Sequence, residues 1–341
     1  MQTLYRKYRP DSFESVLGQD HVVGALKGTI KDKAIGHAYL FAGSRGIGKT
    51  SIARIFAREI GTSEKDLYEI DAASNRGIDD IRELREAVYT LPFESPYKVY
   101  IIDEAHMLTK EAFNALLKTL EEPPSYAVFI LATTEMHKLP ETVVSRCETH
   151  HFKRPTTGLL RDMVVRIARE EGYQVTEEAA ELIALLGDSS FRDTHGALQK
   201  VLRASDTKKI DADSVSGITG APAFSLVDDV VTGLATKNAE KAIGAVVSAA
   251  RQGGDIPLLA RLIVSELRAI LILAHAPGVA GMHADDANQE RAARHTELAR
   301  SAELHITHRT LATFLDASDR AARSTVPEAV LILAILESVE G

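Results

Sequence analysis

The first part of the chain alternates short apolar segments with stretches of helical spacing. Apolar residues fill positions 38–42, 99–102 and 128–132, and a shorter mixed run occupies 67–70. Between these runs, apolar side chains recur every three or four residues, as in Ile52, Ile55 and Phe56. This alternation of buried strands and amphipathic helices predicts an α/β fold with a parallel sheet. Ligands of such sheets bind at the carboxyl ends of the strands.

The pattern changes near residue 156, after which only helical spacing is found. Three helices over 156–204 form a unit of the size of a small lid, and the polar stretch 205–220 is predicted to be a linker with a short helix. About five helices follow over 221–341. The expected helix starts are marked by two capping residues and two first-turn prolines: Thr176, Asn238, Pro257 and Pro327. We therefore predict domains at 1–155, 156–204 and 221–341.

Composition narrows the class of protein. The 341 residues are 45% apolar and 26% charged, as in globular proteins of two or three domains. The N-terminus lacks the apolar core of a secretory signal, and the longest apolar stretch, 256–274, carries Arg261, Glu266 and Arg268, which argues against a membrane span. The single cysteine, Cys147, excludes an intramolecular disulfide and a cysteine-cluster zinc site, and it suits a cytoplasmic protein. Because the net charge is −8, any nucleic-acid contact must be a local patch.

Residues 43–50, Gly-Ser-Arg-Gly-Ile-Gly-Lys-Thr, fit the pattern G-x-x-x-x-G-K-[ST] between a strand and a helix. The glycines let backbone N–H groups surround phosphate oxygens, and the helix N-terminus favours an anion. We expect Lys49 to reach the β- and γ-phosphates and the Thr50 hydroxyl to ligate Mg²⁺. An ordinary glycine-rich turn is the alternative. The predicted nucleotide contacts are Gly43, Arg45, Gly46, Ile47, Gly48, Lys49, Thr50 and Ser51.

An acidic pair follows the apolar strand at 98–102. Asp103 is expected to hold Mg²⁺ through its waters, and Glu104 to polarise the attacking water. The alternative is a buried strand followed by a solvated acidic turn, but the position one α/β layer downstream of the phosphate loop favours catalysis. The third apolar strand ends at Thr133 and Thr134, and a hydroxyl there is a candidate to hydrogen-bond the γ-phosphate. Strand-terminal threonines are common, so this interpretation depends on the strand lying beside the phosphate-loop strand.

Two further segments remain open to two interpretations. The basic and aromatic residues at 5–10, with the aliphatic residues after them, form either a solvated arm or a cover over a bound base. Ser74, Asn75 and Arg76 open a helix, where exposed backbone N–H groups beside an arginine suit a DNA phosphate. A plain helix cap with a solvated arginine fits them equally. The histidines of the C-terminal helices lack metal-ligand spacing, so we expect them on solvated faces.

Several short motifs occur together in this chain. They are Arg6-Lys7-Tyr8-Arg9-Pro10, Gly18-Gln19, His37-Ala38-Tyr39-Leu40-Phe41, the loop at 43–50, Asp71-Ala72-Ala73-Ser74, Asp103-Glu104-Ala105-His106, residues 114–124 and Ser145-Arg146-Cys147. In combination they resemble the gamma/tau family of bacterial DNA polymerase III clamp-loader ATPases, which are AAA+ proteins. The resemblance is dense up to about residue 204 and weaker beyond it, at the level of helix pattern.

The resemblance implies an enzyme that uses ATP and Mg²⁺ to open a sliding clamp and load it on primer-template DNA. Arg146 would be the arginine finger that enters the ATP site of a neighbouring subunit. Thr134 would be the first sensor, with Thr133 as the alternative, and Arg192 the second sensor, on the γ-phosphate of its own subunit. The C-terminal helices would form the collar of a five-subunit ring, shared with other clamp-loader subunits and copies of this one. The adenine pocket would be lined by Tyr8, Arg9, Pro10, Val16 and Leu17.

The sequence departs from the family pattern in three places. Residues 61–66 replace a four-cysteine zinc module, so we expect no zinc. The long extension of tau-type members is missing, and how far the natural protein continues past Gly341 is left open. The position of a DNA-contacting basic residue differs near 75–77. Three rivals remain: another AAA+ DNA-processing ATPase such as a branch-migration or initiator protein, a non-hydrolysing ATP-binding scaffold of the same complex, and a small-molecule kinase, which the acidic pair disfavours.

Overall fold

A computed structural model of the chain describes residues 2–75, 77–280, 289–301 and 305–340. They form two compact units. The first comprises Met1–Pro155 with Ser189–Gly196, and the second comprises Thr156–Asp188 with Ala197–Gly341. None of the helices described has the length and apolar character needed to span a bilayer. The finer division of the second unit into lid, linker and collar stays a prediction.

A five-stranded parallel sheet forms the centre of the first unit. The predicted runs all form strands, and their spatial order is β2-β3-β4-β1-β5, so that β1 lies between β4 and β5. The strands are β1 (Ala38–Ala42), β2 (Leu67–Asp71), β3 (Lys98–Asp103), β4 (Ala127–Thr133) and β5 (Glu148–His151). Since β1, β3 and β4 are neighbours, the polar residues that follow each of them meet at one edge of the sheet.

Helices cover both faces of this sheet. The helices before residue 156 are α1 (Leu4–Lys7), α2 (Asp20–Lys31), α3 (Lys49–Glu59), α4 (Ile78–Val88), α5 (Lys110–Glu121) and α6 (Glu141–Val144). Of these, α2 to α6 contribute residues to the two hydrophobic clusters on the sheet. Alternate residues of β1 point to opposite sides: Leu40 packs in the cluster with α4 and α5, while Tyr39 and Phe41 pack in the cluster with α2 and α3. Burial on both faces explains why the central strands are continuously apolar.

Strand β5 was not predicted, because its sequence, Glu-Thr-His-His, lacks an apolar run. It lies at the edge of the sheet and pairs with β1 over Glu148 to His151. An edge strand is formed by backbone hydrogen bonds to one neighbour, and here only His150 is buried against Tyr39 and Phe41. The pattern of apolar residues therefore fails to indicate edge strands of this kind.

The loop after α4 is tied to the segment before β2. The Asp66 carboxylate is buried and accepts three backbone N–H bonds, from Phe93 at 2.6 Å, Glu94 at 3.0 Å and Ser95 at 3.0 Å. Burial alone would raise the pKa of Asp66, but these donors outweigh it and lower the pKa to about 2. Three donors on one carboxylate hold this loop in a defined conformation.

Where the structure describes it, the second unit is helical apart from one pair of two-residue strands, β6 (Gln174–Val175) and β7 (Lys209–Ile210). Thr176 and Asn238 cap helices as predicted, accepting bonds from the N–H groups of Ala179 and Lys241. Among the described residues after position 220 there are seven helices, rather than about five. From residue 157 onward the described helices are α7 (Thr157–Glu170), α8 (Glu177–Leu186), α9 (Phe191–Ala204), α10 (Ala212–Thr219), α11 (Phe224–Ala235), α12 (Ala239–Arg251), α13 (Ile256–His275), α14 (Pro277–Ala280), α15 (Gln289–Arg300), α16 (His308–Ala321) and α17 (Pro327–Glu340).

Candidate active site

The loop at 43–50 joins β1 to α3 at the carboxyl edge of the sheet. Its backbone takes positive φ at Gly46 (73°) and Gly48 (105°), a region that L side chains rarely enter. Gly46 also leaves no space for a side chain, because an added Cβ would lie 2.1 Å from the Ser190 hydroxyl. The Gly43 N–H donates to the Thr133 carbonyl at 3.1 Å, which ties the start of the loop to β4.

Lys49 is folded into this loop and is 5% exposed. Its ammonium donates to the carbonyl oxygens of Gly43 at 2.7 Å and Ser44 at 2.8 Å. Burial lowers the pKa of Lys49, and nearby Arg192 lowers it further, while Glu104 and Asp103 oppose them. A buried cation with two acidic neighbours, in a glycine-rich loop at the start of a helix, fits a triphosphate.

The Thr50 hydroxyl donates a 2.7 Å hydrogen bond to Oδ2 of Asp103, at the end of β3. This bond joins the phosphate loop to the acidic motif. A hydroxyl and a carboxylate within bonding distance are hard oxygen donors, which Mg²⁺ prefers, and Mg²⁺ commonly takes only one or two protein ligands beside substrate phosphates. The donor set fits Mg²⁺.

Glu104 lies directly after Asp103 with φ 49° and ψ 44°, a left-handed conformation that costs a non-glycine residue energy. This backbone turns its carboxylate toward the end of β4, where the Thr134 hydroxyl donates to Oε2 at 3.1 Å. Thr133 faces elsewhere: it is fully buried, and its hydroxyl accepts from the Glu135 N–H at 3.0 Å. Of the two threonines considered from sequence, Thr134 is the one beside the acid.

His106, the last residue of the motif Asp103-Glu104-Ala105-His106, is a further neighbour of this acid. Its side chain is 7% exposed, and Nδ1 lies 3.1 Å from the Thr133 hydroxyl and 3.5 Å from Oε2 of Glu104. On its other side, Nε2 lies 3.5 Å from Oε1 of Glu135. In the sequence, only the position of His106 two residues after Glu104 indicated that it lies near this acid.

The backbone of Arg192, the predicted second sensor, lies beside the phosphate loop. Its backbone N–H donates to the Gly46 carbonyl at 3.4 Å, and its charge acts on the pKa of Lys49. The buried Ser190 precedes it and accepts from the Asp193 N–H at 3.3 Å, which caps α9. The first turn of α9 thus belongs to the first unit, beside the loop.

The N-terminal segment also reaches the phosphate-loop helix. Nε of Arg9 donates to the Ser51 hydroxyl at 3.0 Å, and the Tyr8 ring lies parallel to the ring of His195 at 6.5 Å. Pro10, Val16 and Leu17 are half-buried. Val16 packs against the cluster that contains the buried Ile47, whereas Arg45 is exposed. An adenine pocket lined by these residues stays a prediction.

Gln19, in the motif Gly18-Gln19, is a buried polar residue, and its hydrogen bonds account for its position. It is 1% exposed, and its side-chain amide donates to the Lys153 carbonyl at 2.7 Å and accepts from the Lys153 N–H at 3.1 Å. It therefore replaces a backbone partner and ties the segment before α2 to the residues after β5. Sequence alone offered no partner for it.

Arg146 follows α6 and lies at the surface. Its side chain is 34% exposed; Nη1 donates to the Thr142 carbonyl and Nη2 to Oε1 of Glu121, both at 2.6 Å. A half-exposed guanidinium remains available to a second molecule. The adjacent Cys147 is half-buried, and burial raises its pKa to about 11, so its thiol is not a reactive nucleophile.

The proposed DNA segment is organised by Asp71. Ser74 and Asn75 are exposed, but their backbone N–H groups donate to the Asp71 carbonyl at 3.1 and 2.8 Å. The Ser74 hydroxyl also bonds the Asp71 carboxylate at 3.0 Å. Arg76 lies outside the described residues. The two N–H groups considered for phosphate binding are therefore engaged within the loop.

Comparisons with known proteins find DNA polymerase III subunits similar to this chain. The family model "DNA polymerase III, delta subunit" matches residues 62–156. The chain is 40% identical over 303 residues to DNA polymerase III subunit tau of Bacillus subtilis, covering 82% of this chain and 54% of that protein. It is 36% identical over 319 residues to subunit gamma/tau of Mycobacterium tuberculosis, covering 87% and 55%. The sequence thus spans about half the length of these relatives.

Solved structures show the same fold at lower identity. The Thermotoga maritima RuvB Holliday junction branch migration motor aligns with a TM-score of 0.53 at 18% identity, over 89% of this chain and 96% of that one. At this identity the likeness concerns the fold alone. The fold is that of the AAA+ P-loop ATPases, with a parallel sheet and following helices.

Proposed function

The matched region of this chain belongs to the gamma/tau family of DNA polymerase III subunits, and from that premise we propose that the protein is the ATP-hydrolysing motor of a replicative clamp loader. It would bind ATP, open a sliding clamp and load it on primer-template DNA. The observation that carries the proposal is the 2.7 Å bond between Thr50 and Asp103, because it brings the phosphate loop and the acidic motif into one site.

ATP is bound by the phosphate loop and the segments around it. Lys49 would exchange its two carbonyl partners for β- and γ-phosphate oxygens, which is favourable because its charge is then paired with an anion. Arg192 would contact the same γ-phosphate from the start of α9. The base would lie under the N-terminal segment, against Tyr8, Arg9, Pro10, Val16 and Leu17.

Hydrolysis needs a water held in line with the γ-phosphate. Glu104 is suited to orient this water and accept its proton, with Thr134 fixing the carboxylate. Thr50 and Asp103 would hold Mg²⁺, which neutralises charge that develops on the phosphate oxygens. Lys49 and Arg192 stabilise the same charge from the side of the protein.

Arg146 is proposed to act on the ATP of the neighbouring subunit. Arginine fingers in such sites typically contribute ~10³–10⁵ in turnover. ATP would then favour one geometry between subunits, and loss of the γ-phosphate would remove its support. The ring would contain five subunits, including copies of this chain, held by a collar at 221–341 next to a lid at 156–204. DNA phosphates would be met by the side chains of Ser74, Asn75 and Arg76, since the backbone N–H groups of Ser74 and Asn75 already bind the Asp71 carbonyl.

The test is ATP hydrolysis by the full chain, alone and with partner subunits, with and without clamp and primed DNA. We expect strong stimulation by clamp and DNA together. Glu104→Gln should still bind ATP but lose about 10²–10⁴-fold in rate, and Arg146→Ala should lose the stimulation while keeping its affinity for ATP. No hydrolysis by the wild-type chain alone, together with turnover of the full assembly that Glu104→Gln leaves unchanged, would support a non-hydrolysing scaffold. Stimulation by branched or origin DNA without a clamp would support another AAA+ function.

A further inference from the structure

Arg146 is held by a residue that the proposed function leaves without a role. Glu121 is the last residue of α5 and begins the Glu-Glu-Pro-Pro sequence at 121–124. Its Oε1 accepts a bond from Nη2 of Arg146 at 2.6 Å, across 25 positions of the chain. The Thr142 carbonyl binds Nη1 at the same distance. The guanidinium is therefore fixed from two sides by its own subunit.

These two bonds leave the guanidinium able to serve a second partner. Arginine carries five N–H donors in a rigid fork, and one on each terminal nitrogen is engaged here. Three donors remain for an anion outside the chain. Both side chains are also partly exposed, 34% for Arg146 and 45% for Glu121, so the pair lies at the surface rather than within the core.

We propose that Glu121 is the positioning residue of the arginine finger. An arginine side chain has many rotamers, and one that must enter a neighbouring site gains from being held in the required rotamer beforehand. The α5 terminus supplies this support, since it is part of the packed first unit while Arg146 lies after the four-residue helix α6. The inference rests on the proposed role of Arg146.

A restraining role for the contact between Glu121 and Arg146 predicts a change of opposite sign in the stimulated rate of hydrolysis. If Glu121 held the finger back from the neighbour, removing the carboxylate would raise the stimulated rate. If it positions the finger, removal lowers the rate. The direction of the change therefore decides between a support and a restraint.

The experiment uses the full chain assembled with its partner subunits, clamp and primed DNA. Glu121→Ala should lower stimulated kcat by about 10- to 100-fold, the usual cost of a misplaced catalytic group, and leave KM for ATP within about twofold. Glu121→Gln keeps an oxygen acceptor and should restore most of the rate. Glu122→Ala, which removes the exposed next carboxylate of the same sequence, is the matched control and should behave as wild type.

A double variant separates positioning from a general structural effect. In an Arg146→Ala background, Glu121→Ala should add no further loss, because Glu121 acts only through the guanidinium. A further loss in the double variant, an unchanged rate in Glu121→Ala, or an increased rate would each overturn the inference. Undiminished stimulation in Arg146→Ala alone would instead overturn the finger assignment, and with it the premise.

Discussion

The Thr134 hydroxyl and the Glu104 carboxylate meet across the ends of β4 and β3, at 3.1 Å. The bond fixes one carboxylate oxygen and leaves the other free to receive a proton. We expect Thr134→Ala to lower clamp-stimulated kcat by about 10²-fold, because a misdirected base loses most of its effect. Thr134→Ser keeps the hydroxyl and should retain most of the rate. Single-turnover hydrolysis measures the step, and equal rates in the alanine and serine variants would contradict this role.

Thr50 is expected to control the need for magnesium. Thr50→Val removes the hydroxyl but keeps the shape of the side chain, so half-maximal hydrolysis should require about 10- to 100-fold more Mg²⁺. Thr50→Ser is the control and should titrate like wild type. Chelation by EDTA should stop hydrolysis in all three proteins while their far-UV circular dichroism stays unchanged. An unshifted titration in Thr50→Val would exclude Thr50 as a ligand.

Gly46 is expected to tolerate no side chain. Its φ is 73°, and a Cβ would lie 2.1 Å from the Ser190 hydroxyl and 3.2 Å from Cβ of Arg192. Gly46→Ala should therefore displace the start of α9 from the loop and weaken nucleotide binding by at least about tenfold, a change of roughly 1.4 kcal/mol. Fluorescent ATP-analogue binding measures it. Gly28→Ala, in open space within α2, should bind normally and gain about 0.5–1 kcal/mol in stability.

Subunit mixing should distinguish a site shared between subunits from one within a single chain. A Lys49→Ala subunit lacks the phosphate-loop cation but keeps Arg146, the proposed finger, and an Arg146→Ala subunit has the reverse defect. Assemblies of either variant alone should show no clamp-stimulated hydrolysis. Mixed assemblies should regain part of it, since one neighbour completes the other. Absence of recovery, with assembly verified by light scattering, would place both residues in the same site.

Asp66 should make stability depend on pH. Its folded pKa, about 2, lies below the ordinary value of 3.8, so the ionised form stabilises the fold above pH 4. This contribution is lost as pH falls toward 2 and amounts to about 2 kcal/mol at neutral pH. Asp66→Asn should lower the free energy of unfolding by that amount at pH 7, as measured by urea denaturation. Its difference from wild type should shrink between pH 5 and pH 3; a constant difference would contradict the assignment.

The sheet was largely predictable because its central strands are buried on both faces. Such strands are continuously apolar, as at 99–102 and 128–132, and the polar residues after them point to the site. Strand β5 escaped prediction because an edge strand needs only backbone pairing to one neighbour. The two-residue strands β6 and β7 are too short to show any periodicity.

Within the site, sequence indicated residue types but not partners. The motifs selected Thr50 and Asp103, and the structure joins them. Contacts across long sequence separations were beyond reach: Gln19 with Lys153, and Glu121 with Arg146. A glutamate at a helix end has many solvated alternatives, and only the folded chain shows which arginine it meets.

The left-handed backbone at Glu104 lowers the stability of the fold, whereas the proposed hydrolysis requires the Glu104 carboxylate. Glycine would occupy this position at lower conformational cost. It carries no carboxylate, however, and cannot take a proton from water. A screen that rewards heat resistance alone would thus tend to replace Glu104, and under the proposed function the more stable proteins it returned would bind ATP without hydrolysing it.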